Sequence, residues 1–139
     1  MENWIGRDGA TVTLTNGVLS ATRGLGDDIM GSRTSMPSWT EISTLANYKR
    51  AHSYLVQDNK IKVNEYDCEI SKIADNQPLE IFEEVFTTTH FVEFCSGEEI
   101  EIKNEYYIDT QNIVRKSLQF HSPFIGYLIF ERLDPLQKS

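Results

Sequence analysis

The chain has 139 residues, 40% hydrophobic and 24% charged, the composition of one domain that buries a core rather than of a disordered segment. With 13 basic against 21 acidic residues the formal net charge is −8, which argues against a nucleic-acid partner, since such surfaces need clustered Lys and Arg. No apolar run approaches the roughly 18 residues of a membrane-spanning helix, and the opening "MENWIGRDG" carries no charged-then-apolar targeting pattern.

The first element in chain order is a hairpin, "ATVTLTNGVLSAT". Asn16-Gly17 is a strong turn signal because a type I′ turn needs positive φ at both central residues. A two-residue turn places Leu14 opposite Leu19 and Val12 opposite Ala21 on an apolar face. Thr13 with Ser20 and Thr11 with Thr22 then form a hydroxyl face.

The next stretch, "TRGLGDDIMGSR" (22–33), surrounds Asp27 and Asp28 with three glycines. Ile29 stands where a dinucleotide fingerprint needs glycine, and no Gly-Lys-Ser/Thr follows for a P-loop. Two carboxylates without further acids at EF-hand spacing are too few for calcium. The stretch therefore reads as a strand exit leading into one helical turn, capped by Asp27 or Asp28. Ser38-x-x-Glu41 matches a capping box, with room for only a turn or two of helix.

A second hairpin follows in "NYKRAHSYLVQDNKIKVNEYDCEI". A turn at Asp58-Asn59 pairs Val56 with Ile61, Tyr54 with Val63, His52 with Glu65 and Arg50 with Asp67. "LEIFEEVFTTTHFVEFC" is rich in β-branched and aromatic residues, with a break near Glu83-Glu84. "EEIEIKNEYYID" and "IVRKSLQF" flank a turn at 109–112, and "IGYLIFERL" supplies a last strand before Pro135. Short strands at regular spacing predict an all-β fold: an antiparallel barrel-like domain or sandwich, with at most short helical turns, in a single domain over 1–139.

Candidate chemistry is sparse. His52, His90 and His121 show no metal-binding spacing and read as half-exposed strand residues. There is no G-x-S-x-G elbow, and "FCSGEE" has no catalytic-cysteine signature. Adjacent carboxylates such as Glu83-Glu84 and Glu98-Glu99 point to opposite faces of a strand. No catalytic residue, metal or cofactor is assigned, and the chain reads as a non-enzyme. Cys68 and Cys95 are either two buried thiols or one disulfide, whose closure would stabilise the fold by roughly 3–4 kcal/mol. Tyr106, Tyr107, Phe120, Phe124 and Tyr127 cluster late in the chain. Core packing accounts for them, and a ligand-binding role for Tyr106, Tyr107, Phe120 and Tyr127 is the sharper alternative, since aromatic faces suit sugars.

Several segments in order resemble the YjbF/GfcB lipoprotein family of capsule and exopolysaccharide operons, which includes YmcC-like proteins. They are Trp4, Asp8-Gly9, "NGVL" (16–19), "TRGLGDD" (22–28), Cys68, "THFVEFC" ending at Cys95, "NEYYID" (104–109), "KSLQ" (116–119) and "PFIGY" (123–127). Tyr107 and Phe120 stand where the family pattern has tryptophans, so indole-specific contacts are not carried over. The resemblance implies an antiparallel β-barrel-like domain and an outer-membrane lipoprotein facing the periplasm. It also implies a role in polysaccharide secretion or assembly, with export proteins or the glycan as partners. The family pattern includes a signal peptide, lipobox cysteine and upstream segment not contained in this chain, so any membrane contact is expected through an anchor outside it. The periplasmic setting favours the Cys68–Cys95 disulfide. A lipocalin-like barrel binding a small amphipathic ligand or glycan is the alternative, and a carboxylate hydrolase a third reading.

Overall fold

A computed structural model describes residues 2–5, 9–25, 28–42, 44–56, 60–98, 100–123 and 125–132. Three strands, β1 (Glu2–Ile5), β2 (Thr11–Thr15) and β3 (Val18–Arg23), form a small antiparallel sheet. Seven more form a continuous meander: β4 (Ile29–Thr34), β5 (Leu45–Val56), β6 (Lys60–Ile81), β7 (Glu84–Ser96), β8 (Glu101–Asp109), β9 (Val114–Ser122) and β10 (Gly126–Glu131). The large sheet curls into a half-barrel. The fold is all-β and antiparallel, as the strand spacing predicts, and the one helical piece among the described residues is a 3₁₀ turn at Trp39–Glu41.

The small sheet packs across the hollow of the large one. Asn16 and Gly17 adopt the positive φ their turn requires. A Cβ on Gly17 would fall 2.3 Å from Val114 Cγ2, so close approach to β9 also demands glycine. Leu19 N–H donates to Gln119 Oε1 at 2.7 Å, and the Gln119 amide donates to the Gly17 carbonyl at 2.8 Å. Trp39 fills the hollow beside this sheet. Its ring meets Phe91 and Tyr106 at 5.4 and 5.0 Å, and its indole N–H donates to the Asn16 carbonyl at 2.8 Å.

The registers refine the sequence reading. Leu14 does oppose Leu19, but a bulge beyond them pairs Thr13 with Ala21 and Val12 with Thr22. The bulge turns Thr22 inward, where it is buried, so the expected hydroxyl face loses one member. In the second hairpin Val56 pairs with Lys60, Tyr54 with Lys62, His52 with Asn64 and Arg50 with Tyr66. The connection is three residues long, and Asp58 and Asn59 lie outside the described residues. A shift of one residue moves charge pairing as well: Lys49, not Arg50, faces Asp67, and Arg50 is released to the core.

After Asp28 the chain enters β4 directly, so the expected helical turn is replaced by a strand. Asp28 closes a tight bend, accepting from the backbone N–H groups of Gly24 and Leu25 and from the Thr22 hydroxyl. The 109–112 turn is held by Asp109, which accepts from the N–H groups of Gln111 and Ile113 and from Arg115 Nε.

The longest strand, β6, pairs with β5 only as far as Ser71. Residues 72–81 continue with β7 alone, and Pro78 sits on the open edge, where no N–H is needed. Cys68 and Cys95 are direct cross-strand partners and are joined in a disulfide. Replacing both by alanine is expected to lower the unfolding free energy by about 2–3 kcal/mol. Urea denaturation of the parent and the double variant under oxidising conditions measures this difference.

Candidate functional site

Alternation along the strands directs an unusual set of polar residues into the half-barrel. Arg50 is in phase with Tyr48, His52 and Tyr54; Glu93 with Phe91 and Cys95; Asn104 with Ile102 and Tyr106. Glu93 is fully buried and is the hub. Its Oε1 accepts from Arg50 Nη1 at 2.8 Å, Asn104 Nδ2 at 2.8 Å and the Tyr106 hydroxyl at 2.9 Å, and its Oε2 accepts from the Tyr48 hydroxyl. Two strands other than its own, β5 and β8, are thus tied to one carboxylate.

From the hub the network runs across the hollow. Arg50 Nη2 lies 3.2 Å from His52 Nε2, and His52 Nδ1 lies 3.4 Å from the Tyr54 hydroxyl. Tyr54 in turn donates to the His121 carbonyl at 2.6 Å. Because a guanidinium only donates, Nε2 of His52 accepts and its proton sits on Nδ1. His121 Nε2 reaches Thr22 Oγ1 at 2.9 Å, and Thr22 links to Asp28. No buried side-chain N or O among the described residues lacks a partner.

The environment shifts these groups as burial dictates. Burial, then the Glu93 charge, raises the Tyr48 and Tyr106 hydroxyls far above the ordinary phenol range. Burial alone would lower Arg50, but Glu93 together with Tyr106 and Tyr48 outweighs it, and the guanidinium is held more firmly protonated. His52 is pushed down to about 3 by burial, with Arg50 and His121 adding to the effect. Each donor of the hub is occupied by structure. The hub is thus suited to holding strands in position, not to proton transfer.

Where this core meets solvent the half-barrel opens into a cleft of about 1370 Å³. Arg50 and Tyr66 form part of its floor, Lys62 and Asn64 continue along the same face of β6, and Arg33, Gly97 and Pro123 border it. A Cβ on Gly97 would lie 2.9 Å from the Tyr66 ring, so this loop presses against the cleft wall. The β8–β9 ladder pairs only from Glu105↔Leu118 towards the 109–112 turn. Beyond it side chains replace the ladder: Asn104 Oδ1 accepts from Phe120 N–H at 2.8 Å, and the Tyr127 hydroxyl accepts from Lys103 N–H at 3.1 Å.

Of the residues singled out for ligand binding, Tyr106 has no exposed surface and donates to Glu93. Tyr107 points to the other side of β8, stacked on His90 at 4.4 Å. Phe120 is buried and meets Tyr127 edge-on at 5.4 Å; Tyr127 is 42% exposed. Phe124 lies outside the described residues. The four rings do not form one surface. His52 and His121, expected to be half-exposed, are buried; His90 is half-buried and contacts Glu105 at 3.1 Å. Sequence reasoning overlooked Glu93, Arg50 and Asn104, although each shares the period of flanking buried residues. Among the described residues, Cys68, Glu93 and Cys95 are near enough to hold a metal together, but the sulfurs are bonded to each other and offer no thiolate.

A family model described as "Group 4 capsule polysaccharide lipoprotein gfcB, YjbF" matches residues 1–133. The fold is similar to the crystal structure of the hypothetical lipoprotein YmcC from Escherichia coli (K12), with a TM-score of 0.81 and 20% identity. That match covers 96% of this chain and 72% of the other. No curated protein matches the chain. No helix among the described residues is long and apolar enough to cross a membrane.

Proposed function

The chain belongs to the YjbF family of group 4 capsule polysaccharide lipoproteins, and from that premise we propose that it is a non-enzymatic envelope protein holding a stretch of polysaccharide in its cleft during secretion or assembly. The observation that carries this reading is the cleft. At about 1370 Å³ it exceeds the roughly 300–1,000 Å³ of a small-molecule pocket, and it is open and lined by polar and charged side chains. An extended, hydroxyl-rich chain suits such a trough. A lipocalin-like ligand would call for an enclosed apolar cavity, so the alternative gains no support. The disulfide is consistent with an oxidising compartment, and the proposed place of action is the periplasmic side of the outer membrane.

The test has two arms. Electrophoresis of the purified chain through gels containing capsule polysaccharide from the source organism is expected to show retardation. Lys62→Ala/Asn64→Ala is expected to weaken that retention at least about tenfold, while Lys103→Ala, outside the cleft, retains it. Incubation with the same polysaccharide is expected to release no reducing ends. Retention unchanged by the cleft variant, or release of reducing ends, would overturn the proposal.

A further inference from the structure

Residues 78–87 form a short two-stranded arm, because β7 pairs with β8 only as far as Thr88. At its tip Ile81 pairs with Glu84, and Phe82 and Glu83 make the turn at φ 46 and 70. Both positions need left-handed backbone, which suits Asn and Gly and disfavours a bulky aromatic. Phe82 is nevertheless 82% exposed and Val85 64%, so neither serves the core. An exposed ring kept at a disfavoured backbone position points to a role outside the fold. The run 73–89 carries Asp75, Glu80, Glu83 and Glu84 and contains no Lys or Arg.

A receptor of matching character lies elsewhere on the surface of the molecule. A cavity of about 160 Å³ beside the cleft is lined by Leu19, Met36, Pro37 and Trp39, with Arg33 at its edge and no acidic residue in its lining. Among the described residues Arg33 has no carboxylate partner. We propose that the arm of one molecule docks into this cavity of a second copy, with Phe82 entering the apolar lining and Glu83 or Glu84 facing Arg33. Tip and cavity are different surfaces of one chain, so the contact between copies is head-to-tail and can propagate. This goes beyond the glycan reading and does not depend on it, because the tip lies outside the cleft.

Sedimentation velocity of the purified chain over rising concentration tests the contact. The parent is expected to self-associate, less so as salt is raised. Phe82→Asn, which suits the turn, is expected to keep the thermal midpoint at or above the parent's while raising the dissociation constant at least about tenfold. Arg33→Glu is expected to have the same effect on association. An equal mixture of these two variants is expected to form a dimer that does not grow, because one intact tip meets one intact cavity. Phe82→Asn is also expected to leave glycan retention unchanged, which separates this contact from the proposed function. A parent that stays monomeric, a Phe82→Asn chain that associates like the parent, or a mixture that stays monomeric would overturn the inference.

Discussion

Replacing Glu93 by alanine is expected to lower the unfolding free energy by about 3–5 kcal/mol. The loss arises less from the ion pair itself than from what its removal strands. Arg50 is 6% exposed and its guanidinium would be left in the core without a counter-charge. Two tyrosine hydroxyls and the Asn104 amide would lose their acceptor together. Glu93→Gln keeps one acceptor oxygen and is expected to cost about 1–3 kcal/mol. Urea unfolding followed by the fluorescence of Trp39, which packs on Tyr106, measures both. A cost below about 1 kcal/mol for Glu93→Ala would show that the hub does not hold these strands together.

The second large effect is one of pH. In the folded chain His52 stays neutral down to about pH 3, whereas the unfolded chain protonates it below its ordinary value of 6.5. Between those limits the unfolded state binds the extra proton, so stability is full above pH 6.5 and falls as the pH drops towards 3. The slope contributed by this group is about 1.4 kcal/mol per pH unit, and the total is on the order of 5 kcal/mol. The physical reason is burial first, and then a local one: a second N–H on the ring would face Arg50 Nη2, a group with no acceptor to offer. His52→Gln retains an acceptor for Arg50 and removes the titration. Its stability is expected to fall less steeply than the parent's between pH 6.5 and 5. Parallel slopes in urea titrations at pH 7.5, 6 and 5 would contradict the assignment.

Much of the β architecture was legible because its cues are local. Asn16-Gly17 specifies its turn unaided, and the Asp109 turn carries its own side-chain cap. The register of the second hairpin was not, because a three-residue connection and a two-residue turn at Asp58-Asn59 look alike in composition. That single residue of slip decides whether Arg50 meets solvent or Glu93. Phe82-Glu83 was illegible for the opposite reason: it breaks the turn rule that makes hairpins readable, and the expected break falls one residue too late. Of the site, the inward polar residues were accessible through phase. "THFVEFC" places Glu93 between Phe91 and Cys95 at a period of two, where a solvated glutamate has no place. The cleft had no comparable signature, since its walls come from β4, β6, the loop after β7 and the loop after β9.

The 22-residue β6 also has a mechanical meaning. It runs from the cleft to the arm, bulged near Ala74, so a load applied at either end travels along it in shear against β7 and, as far as Ser71, against β5. Pulling one strand past another by a single residue would invert every side chain and empty the hub. The Cys68–Cys95 crosslink lies partway along this beam and acts as a shear pin. Tension therefore cannot slide β6 along β7 without breaking a covalent bond, and the cleft keeps its shape under pull.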